Sequence, residues 1–376
     1  MSTLMDGLTF NPPLKLKGEM PKDLCDDRSN LPANFTEISD PIRYTSFVLS
    51  VLTCALGLVG NALVIWVTGF HMKKHTCKIW FLNLAVADIA FVFCLPLYAV
   101  ALFTDKWIFG RYLCKVYHYV STCNMYASIF IITTLTIDRV LATAKPIWHH
   151  KFSSRCICYS TCAVIWIITA LSSLPVFFFS DEVTYGEKVQ CKLVNAEQSL
   201  TKRSTRNIQV TTATPLFGAA LDALPAPCES NVAEISLLTK FIVIPFLVVG
   251  YFIPLFVILF SNVIIAQQVR KSKSVKTSRL YRTIITVILF FFLTWTPIVI
   301  AQIILLVSLH NSNFILMFQI YRIMPLMTSI AYTNSCINPF IYALVGTQLR
   351  GEITDFISSK RLLSRSSTSA KSYAEP

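Results

Sequence analysis

Seven long apolar stretches restrict this chain more than any other feature of its sequence. They run near residues 43–69, 79–103, 115–142, 157–179, 236–268, 281–308 and 316–346. A helix needs ~20 mostly apolar residues to cross the hydrocarbon of a bilayer. Peptide groups at that depth have no water to bond, so they must bond within the helix. The predicted fold class is therefore all-α: a seven-transmembrane helix bundle. Composition agrees, with 54% hydrophobic and 14% charged residues against roughly 25% charged in soluble domains. Pro96, Pro175, Pro254, Pro297 and Pro339 fall inside the spans, where membranes tolerate proline.

Charge sets the orientation. The net charge is +13, which in a soluble protein would suggest a nucleic-acid partner. Here the basic residues gather in three short loops without an acid: His71 to Lys78, Lys145 to Arg155 and Arg270 to Arg279. Basic loops stay cytoplasmic. The expectation is a multi-pass plasma-membrane protein with its N-terminus outside, its C-terminus inside and no nucleic-acid partner. Residues 1–42 read as a polar extracellular tail without a signal peptide. Asn34-Phe35-Thr36 is a glycosylation sequon on that side. Of twelve cysteines, Cys25, Cys114, Cys191 and Cys228 lie in or beside extracellular segments. An even number in an oxidising compartment predicts two disulfides. The extracellular loop 180–235 is unusually long, which marks a functional or disordered segment.

Several spans hold polar residues in their interiors. A carboxylate within a membrane is a functional hypothesis by default. Asp88 sits mid-span, with Asn83 about one turn away. Asn61, Asn124, Asn334, Ser335 and Asn338 lie within other spans. Lipid offers them no partners, so they are expected to meet in the bundle interior. Such a cluster reads either as glue between helices or as a hydrated pocket for an allosteric Na⁺. Asp138-Arg139 at the inner end of span three reads as an anchoring pair or a switch. Trp295-Thr296-Pro297 and Asn338-Pro339-Phe340-Ile341-Tyr342 each place a proline kink beside that interior. Two kinked helices next to a polar cluster make a candidate bistable element.

These markers fall one set per span and in order: Asn61, Leu84 to Asp88, Cys114, Asp138-Arg139, Trp166, Pro254, Trp295 to Pro297 and Asn338 to Tyr342. The chain thereby resembles the rhodopsin-like G-protein-coupled receptors over about residues 43–357. The resemblance implies a Cys114–Cys191 disulfide. It also implies that Arg139 engages a heterotrimeric G protein when span six swings outward. Asn124 to Phe130, Lys145 to Trp148, Trp80 to Asp88 and Ala331 to Pro339 are similar to the chemoattractant branch of formyl-peptide, anaphylatoxin and chemerin receptors. That branch implies an inhibitory-class G protein. Cys25 and Cys228 are similar to the second disulfide of a prostaglandin-binding chemoattractant receptor.

The sequence also departs from the family. Phe246 stands eight residues before Pro254, where many relatives carry a basic ligand anchor; Lys240 is the candidate substitute. Asn262 replaces the span-five tyrosine that steadies the active state, which favours a decoy or scavenger role. Val140 and Thr294 replace a common Tyr and Cys. Ser121 stands where amine receptors carry an Asp, and span seven has no lysine for retinal.

Tyr98, Trp107, Tyr117, His118, Ser121, Lys240, Gln302, Arg322 and Tyr332 form the candidate ligand pocket at the outer ends of the spans. Aromatic walls with a few polar groups suit a ligand, and also suit plain packing or an interface belt. His118 reads as a packed or water-bonded histidine, not a metal ligand. Arg322 or Lys240 is expected to meet an anionic ligand end such as a peptide carboxylate, though Arg322 could equally snorkel to the interface. The ligand is read as an extracellular peptide or a lipid. Residues 347–357 read as an amphipathic eighth helix on membrane lipids. The Ser-rich tail 358–376 reads as disordered, and phosphorylation there would recruit arrestin. Transporter repeats, rings of charge and enzyme motifs are absent from the reading.

Overall fold

The computed structural model describes residues 39–71, 77–152, 154–185, 188–193, 239–272, 275–311 and 313–345. Seven of its helices are long and apolar enough to cross a membrane. Span one is Asp40–Trp66, continued by a π turn over Val67–His71. Spans two, three and four are Cys77–Thr104, Gly110–Ala144 and Arg155–Phe179. Span five runs through Ile253–Ser272, span six is Val275–His310, and span seven is Phe314–Tyr332 followed by Asn334–Val345. A short loop helix, Pro146–Phe152, joins spans three and four.

Local chemistry explains the ends. Pro41 opens span one, where a missing N–H is harmless. Ser154 and Asn313 accept from the backbone amides of Ile157 and Leu316, capping spans four and seven. Span five carries two π turns, Thr239–Val243 and Val248–Phe252, around Ile244–Leu247. They flank Pro245 and precede Pro254, residues that donate no hydrogen bond to the helix.

The packing is turned inside out relative to a soluble protein. Asp88, Asn61, Asn124, Asn334, Asn338 and Ser128 are buried, while Val59, Phe93, Phe178, Phe256 and Leu293 are exposed. Only a hydrocarbon surround makes that arrangement favourable. Glycine lets two spans approach: a Cβ on Gly60 would lie 2.9 Å from the ring of Pro339 in span seven.

The long loop begins as a hairpin of β1, Ser180–Tyr185, and β2, Lys188–Leu193. The strands are antiparallel, with Ser180 opposite Leu193 and Glu182 opposite Cys191. The sequence marks this loop as a functional or disordered segment; residues 180–185 and 188–193 of it are ordered as strands. Residues 194–238 and 346–376 fall outside the described residues, as does the chain before Ser39. The expectations for Asn34, Cys25, Cys228, helix eight and the tail therefore lie outside them too.

Candidate functional site

The hairpin is fixed to the bundle at several points. Cys114 in span three and Cys191 in β2 form a disulfide, with Cα atoms 5.6 Å apart. The Trp107 amide donates to the Val189 carbonyl at 2.7 Å, so the edge of β2 is covered. Arg111 pairs with Asp181 of β1 at 2.9 Å, and Lys188 of β2 pairs with Asp105. His118 Nδ1 lies 2.9 Å from the Ser180 hydroxyl. Its Nε2 faces Cys191 Sγ at 3.8 Å. Cys114, His118 and Cys191 thus cluster closely enough to suggest metal ligands. Both sulfurs are already committed to each other, so the thiolates a metal would need do not exist.

Beneath the hairpin lies a knot of tyrosines. Tyr98 stacks on Tyr117 with ring centroids 5.7 Å apart. It meets Tyr332 edge-on at 5.7 Å. Tyr117 and Tyr332 share a hydrogen bond of 2.8 Å, and the Ser121 hydroxyl donates to Tyr332 at 2.9 Å. Tyr98 donates to the Pro325 carbonyl. Trp107 packs on Tyr117 and donates to the Gly110 carbonyl. Six of the nine candidate pocket residues therefore meet: Tyr98, Trp107, Tyr117, His118, Ser121 and Tyr332. Gln302 is half-buried with an Oε1 that meets no hydrogen-bond partner among the described residues. Arg322 is half-buried in span seven. Neither takes part in the hydrogen bonds of the tyrosine knot. The side chain of Lys240 lies outside the described residues.

A second polar cluster follows toward the inner end of the bundle. Asp88 is fully buried. Its Oδ1 accepts from Asn124 at 2.9 Å and its Oδ2 from Asn338 at 3.0 Å. Ser335 donates to Asn124 Oδ1 at 3.1 Å. Among the described residues no cation pairs with Asp88, so its charge has only two amides and the Ser335 hydroxyl for company. Asn338 Oδ1 and the nearby Asn334 Oδ1 have no hydrogen-bond partner among the described residues. One carboxylate with spare carbonyl and hydroxyl oxygens is a donor set that suits a hard cation such as Na⁺.

Asn61 stands beside this cluster and does a different task. Its amide donates to the Ser335 carbonyl at 2.7 Å and to the Gly57 carbonyl at 2.9 Å. Asn83 turns away altogether. Trp166 in span four donates to its Oδ1 at 2.9 Å, and its amide donates to the Ile79 carbonyl. The expectation that Asn83, about one turn from Asp88, lies on a nearby face is corrected. Five residues along a helix of 3.6 per turn leave a large angle between them.

The kinked elements touch one another. Trp295 is buried between Phe291, at 5.9 Å, and Phe246 of span five, at 6.2 Å. Phe246 occupies the position where sequence comparison looks for a basic anchor, and here it packs on tryptophan. Tyr251 and Thr296 share a hydrogen bond of 2.8 Å between spans five and six. Spans six and seven also border an open apolar groove of about 380 Å³ on the outer surface of the bundle, lined by the exposed Leu293 and Ile300 with Pro297, Ala301, Ile320 and Met327 among others. At the inner end, Asp138 pairs with Arg139 and, at 2.9 Å, with His149 of the loop helix. The sequence reading missed His149 and Tyr251. Each lies near a marker motif, but nothing in the spacing joins it to its partner. Pro339 is in place beside Gly60, whereas the side chain of Tyr342 lies outside the described residues.

Residues 60–224 and 222–342 match the family described as 7 transmembrane receptor (rhodopsin family). The chain is 30% identical over 312 residues to chemerin-like receptor 1 of Mus musculus, covering 81% of this chain and 76% of that protein. It is 30% identical over 344 residues to N-formyl peptide receptor 2 of Homo sapiens, covering 89% and 91%. It is 29% identical over 320 residues to chemerin-like receptor 2 of Macaca mulatta, covering 84% and 80%. The relatives are receptors and not enzymes.

Proposed function

The chain belongs to the rhodopsin family of seven-transmembrane receptors, and on that premise we propose that it is a cell-surface receptor for a chemoattractant-type ligand, signalling through inhibitory-class G proteins. The ligand class is a peptide or small protein with an acidic end. The relatives are named for chemerin and for N-formyl peptides, which favours that class. The basic loops 71–78 and 145–155 face the cytoplasm in this reading, and the hairpin faces outward.

One observation carries the proposal. Span seven holds the tyrosine knot through Tyr332 and the buried carboxylate through Asn338, six residues further along, with a helix break at Thr333 between them. A ligand that pulls Tyr332 away from Tyr117 and Ser121 acts on the same helix that grips Asp88. It biases the bundle by its differential affinity for the two arrangements and by no more. A Na⁺ held by Asp88, Ser335 and Asn338 would stabilise the resting arrangement. Arg322 and Lys240 are the cations proposed to meet the acidic end of the ligand. Phosphorylation of the tail, followed by arrestin docking, would end the signal.

The test is agonist-driven suppression of cyclic AMP in cells with and without inhibitory G proteins, using formyl peptides and chemerin-type peptides as probes. Suppression that requires those G proteins supports the reading. Binding without suppression would favour a decoy, a role suggested by Asn262, whose amide donates to the Ile258 carbonyl of its own helix. A lipid mediator such as a prostaglandin is the other reading. The similarity of Cys25 and Cys228 to the second disulfide of a prostaglandin-binding receptor favours it, and displacement by eicosanoids alone would establish it. Unchanged peptide affinity in both Arg322→Ala and Lys240→Ala would remove the acidic-end assignment.

A further inference from the structure

His118 carries a nitrogen that the proposed signalling mechanism does not use. The Ser180 hydroxyl donates its one proton to the Val176 carbonyl at 2.6 Å. It can therefore only accept from His118 Nδ1, which lies 2.9 Å away. In the neutral imidazole that fixes the tautomer: Nδ1 bears the hydrogen and Nε2 bears the lone pair. Nε2 in turn faces Cys191 Sγ at 3.8 Å. A disulfide sulfur has no hydrogen to offer, so the two atoms meet without a hydrogen bond between them.

The imidazole nitrogen and the sulfurs of Cys114 and Cys191 lie within 4.8 Å of one another. Two thiolates and an imidazole are a soft donor set, which selects zinc over sodium, magnesium or calcium. In tetrahedral zinc, bonds of about 2.3 Å to sulfur and about 2.0 Å to nitrogen put those two ligand atoms about 3.6 Å apart. His118 and Cys191 already stand at nearly that separation. Only the two sulfurs must part, to about 3.8 Å. The hairpin keeps its other fastenings while they do. The Trp107 amide still bonds Val189, and the Arg111–Asp181 and Lys188–Asp105 pairs do not depend on the disulfide. The Asp181 carbonyl lies 3.4 Å from Cys114 Sγ, and that oxygen or a water completes the tetrahedron.

We propose that the chain with this disulfide reduced holds one zinc ion between Cys114 Sγ, Cys191 Sγ and His118 Nε2, so that a metal clip takes over from the covalent one. A thiol reductant supplies two electrons and two protons by exchange and leaves as its own disulfide. Zinc then displaces one proton from each thiol, and Nε2 binds without losing one. Ser180 is the positioning residue, because its bond to Nδ1 turns Nε2 toward the metal. The site goes beyond the receptor reading and needs neither its ligand nor its G protein.

The full chain is folded with the disulfide closed, placed in lipid nanodiscs and reduced with a water-soluble phosphine, which ends as its oxide. Co²⁺ is titrated as the visible probe, with Zn²⁺ as its competitor. The reduced parent is expected to show the bands of tetrahedral Co²⁺, bleached by Zn²⁺, and the oxidised chain to lack them. His118→Phe should lose the bands, and Ser180→Ala should weaken Co²⁺ binding about tenfold. Alkylation of thiols, mapped by mass spectrometry, sets this site apart from the other cysteines. Zn²⁺ should shield Cys114 and Cys191 in the reduced parent and not in His118→Phe. If His118→Phe does not accumulate, His118→Asn replaces it with the same expectation. No bands in the reduced parent, bands of equal strength in the oxidised chain, or equal binding in the His118 variant would each overturn the proposal. So would alkylation of Cys114 and Cys191 that Zn²⁺ does not slow, including the case in which reduction frees the hairpin. A shielded site in a chain that suppresses no cyclic AMP would sink the signalling reading and leave the metal site standing.

Discussion

Pro339 removes the amide hydrogen that would otherwise bond the Ser335 carbonyl one turn earlier in span seven. Asn61 in span one supplies the missing donor at 2.7 Å, and the same amide also bonds Gly57. Replacing Asn61 with alanine therefore strands a buried acceptor where neither lipid nor helix can serve it. Hydrogen bonds between membrane helices average ~0.6 kcal/mol and reach ~1.7. A buried acceptor left without a donor costs about 1–3 kcal/mol. With both bonds of Asn61 lost, Asn61→Ala should destabilise the bundle by about 2 kcal/mol, roughly a thirtyfold change in the folded ratio. The reasoning makes a sharper demand on a double mutant. In Pro339→Ala, residue 339 regains an amide and the helix can serve Ser335 by itself. Asn61→Ala should then cost about 1 kcal/mol less than in the parent. Unfolding of the purified chain in detergent can be followed by the reaction of a dye with buried thiols such as Cys336. Strictly additive effects of the two substitutions would refute the argument, because they would mean that Asn61 is not standing in for the proline's absent hydrogen.

Three further outcomes are expected. Asp88→Asn should abolish any dependence of agonist affinity on Na⁺ concentration, measured by competition binding in sodium and in a large organic cation; a dependence that survives removes the ion-pocket proposal. Tyr332→Phe deletes the hydroxyl shared by Tyr117 and Ser121, so it should lower thermal stability by ~1 kcal/mol and shift agonist potency; an unchanged dose-response curve would separate the tyrosine knot from signalling. Gly60→Ala places a methyl 2.9 Å from the Pro339 ring and should destabilise by about 1–3 kcal/mol through overpacking, read by the same thiol assay; no loss would mean that span one shifts freely.

The bundle was legible in the sequence because its signal is repeated and strong. Each span is a run of apolar residues long enough to cross lipid, and spans one, two, three and seven carry polar residues whose burial needs an explanation. The meeting of Asp88 with Asn124, Ser335 and Asn338 followed from that need alone. Asn83 misled because five residues look close in a string, whereas the helix turns them apart and Trp166 is the nearer partner. The hairpin could have been found: Val183 and Tyr185, then Val189, Cys191 and Leu193, alternate on either side of Gly186. The tyrosine knot was only half legible. Aromatic residues at span ends mark an interface belt as readily as a pocket, and which rings touch depends on how the helices rotate. His149 and Tyr251 were illegible for the same reason, since their partners lie on other elements and their residue types are ordinary.

The hairpin over the tyrosines is bolted down by a disulfide, a strand-edge hydrogen bond and two ion pairs. A roof held this firmly is a poor candidate for a hinge. A visitor approaching from that side would be sorted on arrival, by its breadth and by the charges along the eaves, before it could reshape anything beneath. Loosening one fastening, for instance with Arg111→Ala, should broaden the range of molecules admitted while leaving the interior chemistry alone.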